Sequence, residues 1–281
     1  MKYFENKSFS VATKHKKEIV FSSVFSQLGL NYVATPEIDT DVLGTFTGEV
    51  ERKHSPLETA LQKAKLLATK INNVDFVLAN EGSFGPHPYI PFVASDSEVI
   101  LMYDVKADKF FYFHNVCAET NFAEKEIASF NQLHEFLKQV KFPSHALIVS
   151  AKSNDGKVHY EKAIQDENVL KTKVDKLFAI SENGLVKVQT DMRAHLNPTR
   201  MNFIEQCAQK FVEELKSACI KCNYPQFKIR RTERGLPCYN CNTPTQSINK
   251  YIYECINCNY IETKENEKEF EDPMYCEICN P

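Results

Sequence analysis

Residues 80–92 read NEGSFGPHPYIPF. Two of the chain's eight glycines and three of its twelve prolines fall in these thirteen positions, with one carboxylate, Glu81, near the start. Glycine opens backbone conformations that other residues avoid, and proline fixes φ and removes a donor. The run is therefore expected to interrupt regular structure, not to lie inside a helix or a central strand. Just before it stands VDFVLA, residues 74–79, a continuous apolar run of strand length. Together they predict a buried strand that delivers Glu81 to a Gly-rich turn, with 80–92 as the wall of a site.

Upstream, SFSVAT (8–13) reads as a strand running into the polar turn KHKKE. EIVFSSVFSQLGL follows with apolar residues at Ile19, Val20, Val24, Phe25 and Leu28, a helical spacing that Gly29 can end. NYVATPEID reads as a short strand, and a polar loop leads to Pro56. From there PLETALQKAKLLATKI predicts a helix, with Glu58 in its first turn. Downstream, SEVILMYDV and KFFYFHNV predict a hairpin. NQLHEFLKQV predicts a helix, HALIVSA a strand, and a lysine-rich element follows around 161–177. QTDMRAHLNPTRMN then leads into a helix over roughly 200–217. The order predicts an α/β fold, a mixed twisted sheet with flanking helices, over residues 1–217.

A net charge of −3 over 281 residues argues against a protein that coats nucleic acid or anionic membrane by bulk electrostatics. No run of about 18 apolar residues reads as a membrane span. The N-terminal stretch lacks the apolar core of a signal peptide. The expectation is a cytoplasmic protein with no membrane partner.

Eight of the ten cysteines fall in residues 218–281, as four CxxC pairs: Cys219/Cys222, Cys238/Cys241, Cys255/Cys258 and Cys276/Cys279. In a reducing compartment this pattern reads as metal ligation. Two CxxC pairs supply four thiolates, a closed tetrahedral set for zinc, with an iron–sulfur cluster as the other occupant such a set can take. CIKCNY and CINCNY open two similar halves, each ending in a second CxxC. The repeat favours Cys219/Cys222 with Cys238/Cys241, and Cys255/Cys258 with Cys276/Cys279; a crossed arrangement would use the same ligands. The expected module is a pair of structural zinc ribbons. FKIRRTER, with Lys228, Arg230, Arg231 and Arg234, keeps a nucleic-acid role open, but eight Lys and Arg against nine Asp and Glu make no broad basic face.

Three pieces of the first domain carry chemistry. VATKHKK places Thr13, His15 and Lys17 at a strand-to-helix turn, where phosphate can bind. ETALQKA places Glu58 and Lys63 in the first turns of a helix. LANEGSFG brings Glu81, Gly82 and Ser83 to the end of a strand, a setting that suits Mg²⁺. Read singly, these are a solvated lysine turn, a helix N-terminal acid and a connecting turn. Their order resembles the nucleoside-triphosphate pyrophosphatases that clear inosine and xanthosine triphosphates, and the related Maf-like group. Thr13 and Lys17 match the ends of a T-x-N-x-x-K turn, Glu58–Ala64 matches E-N-A-x-x-K-A except at its second position, and Asn80-Glu81-Gly82 matches an acidic, Gly-containing turn. His15 replaces the usual Asn, and one acid stands where the family has two. Over its whole length the chain also resembles an uncharacterised bacterial family, through ATKHKKE, GTFTGEVER, EGSFGPHPYIPF and the CxxC set.

The pyrophosphatase resemblance implies a Mg²⁺-dependent hydrolase of a nucleotide or related phosphorylated small molecule, with Mg or Mn at Glu58 and Glu81 and with lysines such as Lys63 stabilising charge on the phosphates. His87, held between two prolines, is a further catalytic candidate on its own position in the sequence. Asp39 and Asp41 are further candidate ligands or plain turn acids. Arg193, His195 and Arg200 would hold base or phosphate, or else form a solvated loop ahead of the helix. The reading held beside it is a non-catalytic module that senses a nucleotide or binds nucleic acid or protein.

Overall fold

The computed structural model describes residues 2–13, 16–35 and 54–281. His15, Asp39 and Asp41 lie outside the described residues. The chain divides into two units, one formed by Asn6–Phe211 and the other by Val212–Pro281 together with the first five residues. Each is taken by itself.

In the larger unit, β1 (Ser8–Ala12), β2 (Asn31–Tyr32), β3 (Phe76–Pro86), β4 (Ala94–Asp104) and β5 (Lys109–Cys117) form a mixed sheet in the order β2-β1-β3-β4-β5. β1 runs parallel to β2 and β3, and β4 and β5 add antiparallel. The helix α2 (Pro56–Ala68) begins in a capping box: the Ser55 hydroxyl accepts from the Glu58 N–H while the Glu58 carboxylate accepts from the Ser55 N–H. Such reciprocal caps satisfy two donors that a helix otherwise leaves open. Its Ala60, Ala64 and Leu67 recur at helical spacing and pack on Val77, Ala79, Leu101 and Tyr103, the odd-numbered face of β3 and β4. On the opposite face, Phe25 of α1 (Glu18–Phe25) meets Phe9 of β1 and Phe211 of α5 (Pro198–Lys216), and Phe211 stacks on Phe113 of β5. Gly29 ends the turn after α1 at φ 80°, a left-handed conformation that suits glycine.

The middle of the chain forms a second sheet. β6 (Glu124–Ile127), β7 (Leu147–Lys152), β8 (Val158–Ile164) and β9 (Val186–Thr190) pair antiparallel in the order β6-β9-β7-β8. Leu170, Val174 and Leu177 of α4 (Glu167–Ile180) and Phe136 of α3 (His134–Gln139) fill its core. The lysine-rich element of the sequence is thus β8 followed by α4. No helix among the described residues is long and apolar enough to cross a membrane.

The smaller unit carries a three-stranded antiparallel meander, β10 (Lys228–Arg234), β11 (Ile248–Glu254) and β12 (Ile261–Glu265).

One expectation is corrected. Residues 80–86 are not a turn: β3 runs on through Gly82 and Gly85 to Pro86, paired residue by residue with β4. β1 pairs β3 only as far as Ala79, so beyond it β3 is an edge strand beside β4 and β5 as far as Phe84, and only its last two pairs, to Ser95 and Ala94, form a two-stranded ribbon. The chain reverses at 87–93, where His87 N–H donates to Val93 O at 2.7 Å. Pro86 sits at the last pair, where a missing donor is tolerated. Gly82 is needed for space, not for turning. A Cβ there would lie 2.3 Å from Arg200 Nη2 and 2.7 Å from Glu98 Oε1, whereas a Cβ at Gly85 meets nothing within 4 Å. Gly82→Ala should therefore destabilise by about 1–3 kcal/mol through overpacking. Gly85→Ala should be neutral or stabilising by up to about 1 kcal/mol. Paired chemical denaturations decide this, and equal effects at the two positions would contradict it.

Candidate functional site

The even-numbered face of β3 and β4 carries the polar centre. Register sets Gly82 beside Glu98 and Phe84 beside Asp96, with Asn80 next along the same face. Arg200, in the first turn of α5, reaches this face and pairs through Nε with Glu98 Oε1 at 2.7 Å, both side chains fully buried. Its guanidinium lies 5.0 Å from the Phe84 ring centroid, and Nη1 donates to the Met192 carbonyl. Asn197, at the entry to α5, accepts from the Arg200 N–H at 3.0 Å. It donates in turn to Asn121 at 2.8 Å. The Asn80 amide donates to Glu98 Oε2 at 2.8 Å and accepts from Lys17 Nζ at 2.9 Å.

Lys17 precedes α1 and is buried. Among the described residues its ammonium bonds to Asn80, to the side-chain oxygen at 2.9 Å and to the carbonyl at 3.5 Å. Burial, then the nearby Arg200 charge, lowers its pKa to about 8. Asp96 is pushed up to about 8 by burial and by the neighbouring Glu98 charge. Its Oδ1 has no hydrogen-bond partner among the described residues. Glu98 is held below the usual carboxylate range; burial acts to raise it, and Arg200 and Lys17 overcome that effect. On the opposite face of β3, Glu81 forms an ion pair with Lys63 of α2. Both Glu81 and Lys63 lie in the electrostatic reach of Lys17.

The sequence-predicted residues thus separate into groups. Lys17, Lys63, Glu81, Gly82 and Arg200 come together. His195 lies in a single turn over Ala194–Leu196; burial and then Arg193 depress its pKa, and Lys16 is also in its field. Arg193 pairs with Asp191, bonding through Nε at 2.9 Å. Thr13 follows β1 and Ser83 lies within β3, each half-buried. Glu58 is exposed, its carboxylate engaged by Ser55 in the cap. His87 sits at the ribbon reversal, where its Nδ1 accepts from the Tyr89 N–H at 3.2 Å. Asn80, Asp96 and Glu98 were missed by sequence reasoning. The alternation of DSE (96–98) with an apolar run, on a strand expected to be buried, was the available signal.

The eight paired cysteines form two clusters, and the favoured pairing is corrected: Cys219, Cys222, Cys255 and Cys258 form one, Cys238, Cys241, Cys276 and Cys279 the other. The meander dictates this crossing. Lys228 at the start of β10 pairs with Glu254 at the end of β11, and Ile261 at the start of β12 pairs with the same Glu254. The CxxC loops before β10 and after β11 therefore share one end, and those after β10 and after β12 share the other. Sulfur pairs stand 3.7 Å (Cys219–Cys258), 3.5 Å (Cys222–Cys255), 3.9 Å (Cys238–Cys279) and 3.6 Å (Cys241–Cys276) apart. A tetrahedral ion with metal–sulfur bonds of about 2.3 Å needs sulfurs roughly 3.8 Å apart. The clusters could each hold a metal ion, and no disulfide joins them.

A further signal lay in the sequence. Every CxxC is followed by asparagine, and Asn223, Asn242 and Asn259 take φ of 59°, 56° and 56°. Asparagine tolerates this left-handed position, which lets the N–H of each fold back to the carbonyl of its first cysteine at 2.8–2.9 Å.

The chain is thus a mixed α/β unit joined to a double four-cysteine module. Its residues 64–281 match a family described as a domain of unknown function, DUF6671, and the chain belongs to that family. No curated protein matches it. The crystal structure of protein VC0702 from Vibrio cholerae is similar at 9% identity and a TM-score of 0.28, over 40% of this chain and 62% of that one.

Crossed pairing has a direct consequence for metal content. Cys219→Ser with Cys255→Ser should leave one metal per chain, and Cys219→Ser with Cys238→Ser should leave none. Metal analysis of the two purified double variants checks this; sequential pairing would give the reverse.

Proposed function

We propose that the larger unit binds a phosphorylated small molecule of the nucleotide class at the centre around Lys17, and that the cysteine clusters hold two structural zinc ions. The carrying observation is the charge of the centre. Three cations, Lys17, Lys63 and Arg200, stand against two ion-paired carboxylates, Glu81 and Glu98. Asp96 keeps its proton below pH 8. Lys63 and Arg200 have carboxylate partners, while Lys17 bonds to an amide. An excess positive charge held beside the turn that leads from β1 into α1 suits a phosphate group.

Metal-assisted hydrolysis of the same ligand class, with Mg or Mn at Glu58 and Glu81, is the second reading. The order of the three sequence motifs supports it. The donor set fits a divalent cation poorly: Glu58 is held by its cap, and Glu81 already faces the Lys63 ammonium. No chemical step is therefore derived through a metal there. For the cysteine clusters, closed four-thiolate sets leave no open position, which favours a structural role.

Two titrating groups set a pH dependence. Lys17, with a folded pKa lowered to about 8, loses its charge as pH rises through 8. Asp96 gains a negative charge over the same range. Both changes disfavour an anion, so affinity should be highest below pH 8 and fall above it. Calorimetry with pyrophosphate and a panel of nucleoside mono-, di- and triphosphates, with and without Mg²⁺, tests this. The expected result is metal-independent binding at pH 7, weakened at least tenfold at pH 9 and at least tenfold by Lys17→Met. Binding that requires Mg²⁺, with turnover lost in Glu81→Ala, would establish the second reading. Absence of binding by every compound would overturn both.

A further inference from the structure

We propose that the end of the module around Cys238, Cys241, Cys276 and Cys279 is a docking surface for a partner protein segment that carries an apolar anchor flanked by Lys or Arg. Tyr239, Phe270, Met274, Tyr275 and Ile278 are all exposed there, Tyr239 at 74% and Ile278 at 67%. One ring contact and two hydrogen bonds join the segments that carry them. Tyr239 and Ile278 each lie between two cysteines of the same cluster. The Tyr239 ring packs edge-on against Phe270 at 5.8 Å. The Tyr239 N–H donates to Glu271 O at 3.0 Å, and Asn280 Nδ2 donates to Met274 O at 2.9 Å. Single exposed apolar side chains are ordinary, whereas a connected patch marks an interaction surface. Tyr and Met are among the side chains enriched at such surfaces. The CxxC loops fix the backbones that carry them, so little ordering is needed on binding.

Charge selects the partner. Residues 265–281 hold six carboxylates and one lysine. Glu271 is engaged internally, its carboxylate reached by Lys268 and its backbone bridged to Cys238. Glu267, Glu269, Asp272 and Glu277 are exposed around the apolar side chains. An acidic rim around an apolar patch attracts Lys and Arg beside an apolar anchor and repels phosphate. Of the module's arginines, Arg230 and Arg231 lie within β10, while Arg234 ends it and donates to Gln246, which in turn donates to Glu277. One arginine against four exposed carboxylates disfavours a nucleic acid at this end.

The test uses the full chain with both metal sites filled and two labelled synthetic peptides of identical leucine spacing, one with lysines and one with glutamates between. Anisotropy should show the lysine peptide binding at least tenfold tighter than the glutamate peptide. Ile278→Ser with Tyr275→Ser should weaken it at least tenfold while two metals are retained. Glu269→Lys with Glu277→Lys should do the same, and Arg231→Ala, away from this end, should leave it unchanged. Equal binding of the two peptides would overturn the proposal. So would undiminished binding by patch variants that keep two metals, or a single-stranded oligonucleotide binding the wild type and losing affinity in Ile278→Ser.

Discussion

The buried pair between Arg200 and Glu98 is the interaction on which the larger unit depends. Neither side chain is exposed, and each is charged in a setting that penalises charge. Removing one partner of such a pair costs about 3–5 kcal/mol, because the other is left uncompensated. The pair therefore constrains everything around it. Gly82 must be glycine so that the guanidinium can lie against the strand, and Asn80 must present its amide to the second oxygen of Glu98. Asn197 holds the first turn of α5 so that Arg200 arrives at the right height.

Satisfying Glu98 in this way has a consequence for the neighbouring groups. With its carboxylate taken by Arg200 and Asn80, Lys17 bonds to the Asn80 oxygens, and Asp96 keeps its proton. The same buried network that locks α5 to the sheet thus holds a cation on an amide, not on a carboxylate, next to the turn after β1. The proposed anion site follows from the packing and is not an addition to it. The cysteine module follows a separate rule, in which the alternation of an antiparallel meander decides which thiolates meet.

Local features were legible in the sequence. Ser55, Pro56 and Glu58 mark the start of α2, the run 74–79 marks a buried strand, and four CxxC pairs mark the metal ligands. What escaped depended on distant partners. Gly82 and Gly85 look like turn residues because nothing nearby shows that Arg200, 102 residues beyond Glu98, needs the room at Gly82. The cap that Glu58 forms with Ser55 was signalled by their spacing of three residues. Arg200 stands out in the sequence as a candidate ligand-binding group, but its pairing with Glu98 could not be read there. The crossed cysteine pairing was within reach: β10, β11 and β12 sit between the CxxC loops, and reading them as a meander would have shown which loops share an end.

The most direct measurement is the titration of the Lys17 ammonium by NMR, with the resonance assigned through Lys17→Arg. A lysine buried beside Arg200 should show a midpoint near 8 in the free protein, shifted upward when pyrophosphate is bound. A midpoint at the ordinary lysine value of about 10.4, unchanged by the anion, would contradict it.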